Sequence, residues 1–234
     1  MHALSGERLL QAWEQAEHQH GLQRALSMLA IALPEVEPVK LAELPIAERN
    51  RLLLQLRLIS FGPTVQGYAS CSHCDSAMEF SLPVEHLLSC MEAPVTSIAW
   101  EELDQRFQLR AANTLDLLAT VDIADVAAAE QVLLTRCLLT HEGQDGPSTA
   151  IALEKFEQLH AASELRCALA CPQCAQEAFC ELDIASFLWL EVRNAALRLF
   201  SDIHTLARQY GWSESAIASM SAQRRETYLE LTNA

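Results

Sequence analysis

A chain of 234 residues, 50% hydrophobic and 20% charged, can bury a core in one or two domains, and this composition excludes disorder over most of its length. Its 16 Lys and Arg stand against 31 Asp and Glu, a formal net charge of −15. Binding a polyanion draws on a basic face, so neither nucleic acid nor an anionic membrane is an expected partner, and Leu and Ala dominate over β-branched and aromatic residues, which predicts a mainly α fold with a small β component.

In chain order, apolar residues at helical spacing (Leu9, Leu10, Trp13, Ala16, then Leu22, Leu26, Leu29) predict two helices within 7–33, separated at Gly21. Three prolines between Pro34 and Pro45 predict an irregular connection. A helix from Ile46 to Ser60 follows, with Leu52, Leu53, Leu56 and Ile59 inward and Gly62-Pro63 as its stop. From Met78 to Val84 the apolar residues alternate with polar ones, the period of a half-buried strand; Gln105–Arg110 repeats that signal more weakly through Phe107 and Leu109. Helices are expected over Thr114–Thr120 and Asp125–Thr140, with Asp122 or Asp125 as cap, then a loop over His141–Ser148 and a short helix over Thr149–His160. A strand runs through Leu165, Cys167 and Leu169. A long helix over Ile184–Gln209 carries the stripe Phe187, Leu188, Val192, Ala195, Leu199, Ile203 and Leu206 and ends at Gly211 in a left-handed cap. Two short helices, Glu214–Met220 and Ala222–Leu231, close the chain behind Ser213 and Ser221 as caps.

Residues 65–90 superpose on 165–190 without a gap. Cys71 meets Cys171, Cys74 meets Cys174, and Met78, Phe80, Leu82 and Val84 stay in phase with Ala178, Cys180, Leu182 and Ile184. Each copy reads as strand, Cys-x-x-Cys turn, strand, helix start, so the two are expected to fold alike. A Cys-x-x-Cys turn aims two sulfurs at one ion, and a structural zinc takes four ligands in a tetrahedron, so the two turns together complete one shell. The metal-ligand set read from the sequence is Cys71, Cys74, Cys171 and Cys174, holding one structural zinc ion. The long insertion between the turns is tolerable, because loop closure grows only logarithmically, by about 0.6 kcal/mol per doubling. The expected architecture is thus a helical protein built around a split zinc-ribbon-like pair of Cys-x-x-Cys hairpins. A redox dithiol and small core cysteines are the competing readings; the other four, Cys90, Cys137, Cys167 and Cys180, fall on apolar stripes and are read as core.

Further candidates carry less. His18 and His20 beside Glu14 and Glu17 read as a solvated helical face, and His73 inside the first turn is expected to face water rather than replace a sulfur. No Gly-rich phosphate loop, G-x-S-x-G elbow or H-E-x-x-H helix occurs, and four thiolates leave zinc no open position, so no enzymatic activity is expected. The start, Met1 to Glu7, lacks the basic and apolar regions of a signal peptide, and apolar runs such as Leu29 to Leu33 are far below membrane-spanning length. The expected location is the cytoplasm, where eight cysteines serve as ligands and core residues rather than disulfides.

Three segments resemble a known group: RNRLLLQLRLISFGPTVQGYASCSHC (Arg49 to Cys74), CPQCAQEAFCELDIASFLWLEV (Cys171 to Val192) and IHTLARQYGWSESAIASMSAQRRETYLEL (Ile203 to Leu231). Together they resemble the baseplate hub assembly chaperones of T-even-type phages, in the zinc-knuckle version associated with phage-tail-like contractile injection systems. The resemblance spans roughly 45–234, and its most specific part is the Tyr-Gly-Trp-Ser ending with Arg-Arg-x-x-Tyr-Leu behind it. Family turns commonly read Cys-Pro-x-Cys-Gly; here Ser72 replaces the proline, and Asp75 and Ala175 stand where glycine is usual. The resemblance implies a non-catalytic assembly chaperone, or a minor component, of a contractile-tail baseplate, with hub, spike or other tail proteins as partners. On this reading the chain divides into an N-terminal helical segment and linker (1–44), a duplicated zinc-knuckle core with an inserted helical region (45–192) and a C-terminal helical tail (193–234). Trp212, Arg224, Arg225 and Tyr228 are the expected partner contacts on that tail, against the plainer reading that Trp212 packs the tail onto the long helix. A metal-handling, redox or regulatory zinc-ribbon or Cys-x-x-Cys module is the alternative.

Overall fold

The computed structural model describes residues 1–91, 95–141, 146–163 and 165–232, so that 142–145 of the expected 141–148 loop lie outside the described residues. Helices α1 (Glu7–Ala16) and α2 (Gly21–Ala32) form as the periodicity predicts. Their separator is not Gly21, which is the first residue of α2; it is His20, whose ring accepts the Leu22 N–H in a capping box completed by Gln23. The proline-rich connection holds a short helix, α3 (Pro38–Glu43), with Pro38 in the first turn, where a missing N–H costs nothing. Helix α4 (Ile46–Phe61) buries Arg49, Leu53, Leu54, Leu56 and Arg57, whereas Ile59, expected inward, is exposed. A helix covered on several sides has no single apolar stripe from which to read its phase.

Two hairpins follow the repeat. The first is β1 (Thr64–Ser70) with β2 (Ala77–Pro83), running into α5 (Val84–Cys90). Next come β3 (Ser97–Glu102), β4 (Gln105–Arg110), α6 (Thr114–Leu118), α7 (Val126–Cys137), β5 (Leu138–His141) and α8 (Thr149–His160), which passes through a 3-10 turn. The second hairpin is β6 (Arg166–Ala170) with β7 (Glu177–Glu181), and α9 (Ile184–Tyr210), α10 (Glu214–Ala218) and α11 (Ala222–Thr232) complete the chain. Helix α7 stops at Cys137 rather than Thr140 because 138–141 pair with β4, making the antiparallel order β3-β4-β5. Asp125, not Asp122, caps α7 through the Ala128 N–H; Ser213 and Ser221 cap α10 and α11, and Gly211 ends α9 at φ 71°. The fold is mainly helical with small antiparallel sheets, and no helix among the described residues is long and apolar enough to cross a membrane.

Contacts group the chain into two compact units, Met1–Val36 with Leu56–Gly62 and Ala185–Ala234, and Glu37–Gln55 with Pro63–Ile184. In the first, Arg24 donates to the carbonyls of Ala16 and Glu17 at the end of α1 and lies 4.8 Å from the Trp189 ring centroid, so one guanidinium joins α1, α2 and α9. Trp13 meets Phe200 edge-on at 5.2 Å. Arg57, buried, grips Glu191 with two hydrogen bonds of 3.0 and 2.8 Å and donates to the Gly62 carbonyl at 2.6 Å. In the second unit, Leu109, Ala112, Leu134, Cys137, Ala152 and Leu159 form a core behind the three-stranded sheet.

Candidate metal centre

Each cysteine turn is the loop of a two-stranded hairpin. Ser70 pairs with Ala77 in the first and Ala170 with Glu177 in the second, so the registers match residue for residue at an offset of one hundred. Inside the first turn the Cys71 N–H donates to the Ser76 carbonyl and the Asp75 N–H to the Cys71 carbonyl, both at 2.9 Å; Cys171, Gln176 and Ala175 repeat this at 2.9 Å. The residue after the second cysteine closes each loop in the left-handed region, Asp75 at φ 57° and Ala175 at φ 55°. This is a conformation that glycine adopts freely and that sets the Cβ of any other residue against the neighbouring carbonyl.

The hairpins bring Cys71, Cys74, Cys171 and Cys174 together with all four sulfurs within 4.8 Å of one another. Cys71 Sγ lies 3.7 Å from Cys174 Sγ, and Cys74 Sγ lies 3.7 Å from Cys171 Sγ, across 103 and 97 residues of chain. Equal distances for exchanged partners are what a two-fold swap of the hairpins produces. The spacing is far beyond the ~2.05 Å of a disulfide, and the cysteines are free. These two distances are close to those of a metal shell, in which four sulfurs at about 2.3 Å from a central ion stand about 3.8 Å apart, and the remaining sulfur pairs lie within 4.8 Å. The donor set therefore fits a metal ion that favours thiolate. Among the described residues this is the one group of three or more potential ligands.

Surroundings suit the charge. The His73 N–H donates to Cys71 Sγ at 3.4 Å. The Ser76 hydroxyl and then its backbone lower the Cys74 thiol to about 6. For Cys174 the Gln176 backbone acts downward, but burial and the neighbouring sulfurs of Cys74, Cys171 and Cys71 outweigh it and push the thiol up to about 12. Met78, Ala178, Ala69 and Leu169 pack behind the sulfurs; Cys71 and Cys171 are buried, Cys174 is half-buried and Cys74 is exposed.

His73 does more than face water, since its ring nitrogen lies 3.2 Å from the Glu177 carbonyl and links the first turn to the second hairpin. No sequence signal marked that contact. Among the remaining cysteines, Cys137 and Cys167 are buried and Cys180 is half-buried, whereas Cys90 is exposed beside His86 and is not a core residue. Burial, with Asp116 nearby, pushes the Cys137 thiol up to about 11. His20 is occupied as a helix cap and His18 is exposed. In the tail, Trp212 stacks on Tyr210 at 4.5 Å and meets Tyr228 edge-on at 4.8 Å, with the Arg224 guanidinium 5.7 Å from the Tyr228 ring centroid. Arg225 turns away from this group to pair with Asp202 at 2.9 Å. Compared with protein-family models, curated proteins and solved structures, the chain matches none.

Proposed function

We propose that the chain is a non-catalytic assembly factor, or a minor component, of the baseplate of a contractile phage tail or phage-tail-like injection system, its core clamped by one structural zinc ion. The observation that carries the reading is the convergence of two matched cysteine turns, about a hundred residues apart, into one cluster of four sulfurs within 4.8 Å of one another. Zinc is preferred because it has no geometric preference of its own and takes four thiolates in a closed shell. A closed shell leaves no position for water or substrate, which supports structure over hydrolysis.

The assembly half rests on the three resembling segments, and their residues hold the helices in place. Arg57, from the first, grips Glu191, from the second; Tyr210, Trp212 and Tyr228, from the third, form one aromatic group, while Arg225 of the same segment anchors to Asp202. Arg225 therefore has a fold role, and Trp212, Arg224 and Tyr228 remain the contact surface for a hub, spike or other tail protein. Elemental analysis of the purified chain should find one zinc per chain. A pull-down with purified hub and spike proteins should succeed with the full chain and fail after truncation at Tyr210; equal capture would remove the tail from the interface, and no capture by the full chain would remove the assembly role.

The exposure of Cys74 favours one alternative, a metal-handling or redox thiol protein. Thiol labelling of the metal-loaded chain separates the two, because zinc-bound sulfurs react slowly. Rapid labelling of Cys74 would favour the alternative.

A further inference from the structure

The charge of the chain is unevenly divided. The unit of Glu37–Gln55 and Pro63–Ile184 holds 22 Asp and Glu against 8 Lys and Arg, a net of −14; the other holds 9 against 8, a net of −1. In the acidic unit, β3 and β4 are joined by the two-residue turn Leu103-Asp104 between the paired Glu102 and Gln105. Both turn residues have positive φ, 49° and 60°. That is the hairpin geometry Asn-Gly or Asp-Gly adopts without strain, since its twist follows that of the strands. A leucine there brings its Cβ against the following carbonyl, and a bulky residue at positive φ is an outlier that directs attention to function. Packing does not compensate, because Leu103 is 89% exposed, more than any other large hydrophobic among the described residues. Glu101, Glu102 and Asp104 flank it; Glu101 is paired in register with Arg106, and Glu102 accepts the Ser148 N–H at 3.3 Å.

We propose that the Leu103 tip is a docking knob for a protein partner that offers an apolar socket rimmed by Lys and Arg. Strain and exposure together identify the knob; the charge of the unit that carries it identifies the rim. The sign of that charge excludes a nucleic acid as occupant. One leucine covers too little area to be an interface, since stable complexes bury about 1,200–2,000 Å² in all, so the contact must extend from the tip over the unit that carries it, whose net charge of −14 steers the encounter. The inference does not depend on the baseplate reading.

The test places a photocrosslinking benzoyl-phenylalanine at position 103 of the full-length chain in its own host cells. The protein joined at that site is identified, purified and titrated with unmodified chain and with Leu103→Asn and Leu103→Gly. The expected result is that both variants melt no lower than the parent, because the turn relaxes, yet bind at least about tenfold more weakly, as loss of a buried leucine anchor implies. Affinity of the parent chain should also fall with added salt. The proposal is overturned by the absence of an adduct, by an adduct with a second copy alone, by equal affinity of the variants, or by affinity indifferent to salt. A partner unrelated to tail assembly would overturn the function proposed above and leave this inference standing.

Discussion

Asp75 and Ala175 occupy equivalent left-handed positions, but not at equal cost. Aspartate tolerates that region through local hydrogen bonding, whereas alanine has only a misplaced Cβ. Ala175→Gly removes a strain of roughly 1–2 kcal/mol and adds about 0.5–1 kcal/mol of unfolded-chain freedom, so a gain of about 0.5–1 kcal/mol is expected in urea unfolding at fixed free zinc. Asp75→Gly should gain less, and a loss at Ala175 would contradict the turn geometry. That both positions take the left-handed conformation was not legible in the sequence, since neither residue is glycine. His160 gives a second residue-scale expectation. Its Nε2 accepts the Ala112 N–H at 2.8 Å while Nδ1 faces the Phe156 carbonyl at 2.7 Å, an arrangement only the neutral ring can make. Burial lowers its pKa. A depressed folded-state value means that the stabilisation is complete above the unfolded pKa of about 6.5 and is lost as pH falls through the lower folded value. The chain should therefore lose stability below about pH 6.5, and His160→Gln, which keeps an acceptor but does not titrate, should lose less over that window. Parallel pH profiles for the two proteins would show that His160 is not responsible.

At the scale of elements, Asp116 fastens three of them. It sits at the third position of α6, completes the capping box with Asn113, and takes Arg110 of β4 at 2.6 Å and Arg136 of α7 at 2.9 Å. Its side chain is 1% exposed; burial is the largest single influence and acts upward, but hydrogen bonds from Arg110, the Asn113 N–H and Arg136, with the charge of Arg110, together outweigh it and hold the carboxyl below the usual range. Asp116→Asn keeps the size and one cap acceptor but leaves two guanidinium groups without an anion, so a loss of about 2–3 kcal/mol is expected in denaturant unfolding. A change within about 0.5 kcal/mol would mean that the arginines find solvent instead. The sequence showed little of this. Periodicity reported β4 through Phe107 and Leu109, and α7 through its cap, but β5 was hidden because Leu138-Leu139 continues a helical pattern and becomes a strand only by pairing with β4. Strand β3 carried its own alternation, Ile98 and Trp100 against Ala99 and Glu101, too short to stand out without its partner. The three prolines before α4 concealed α3, although Pro38 marks a helix start as readily as it marks a loop.

For the whole molecule, the repeat made the four-cysteine cluster legible because offset and alternation persisted through both copies, whereas the two-unit division was not legible, being a property of contacts between distant segments. The sulfur pairs that close the site span 103 and 97 residues. On the proposed reading one ion would join the two hairpins on either side of the inserted sheet and helices, and its removal would release a long loop and uncover four sulfurs packed on Met78 and Ala178. Structural zinc sites contribute their binding free energy to folding, so the loss of one ligand should be felt throughout the fold. Cys171→Ser is expected to lower the melting temperature by about 10 °C or more and to reduce bound zinc below one per chain, since even a few kcal/mol moves a domain of this size by several degrees. Cys90→Ser, which alters an exposed thiol outside the cluster, should leave both readings at the parent value. Chelation of the parent chain should reproduce the Cys171→Ser shift and have little further effect on that variant. If instead the substitution leaves melting unchanged, or chelation destabilises both proteins equally, the four sulfurs do not act as one shell and the hairpins are held together by their apolar faces alone.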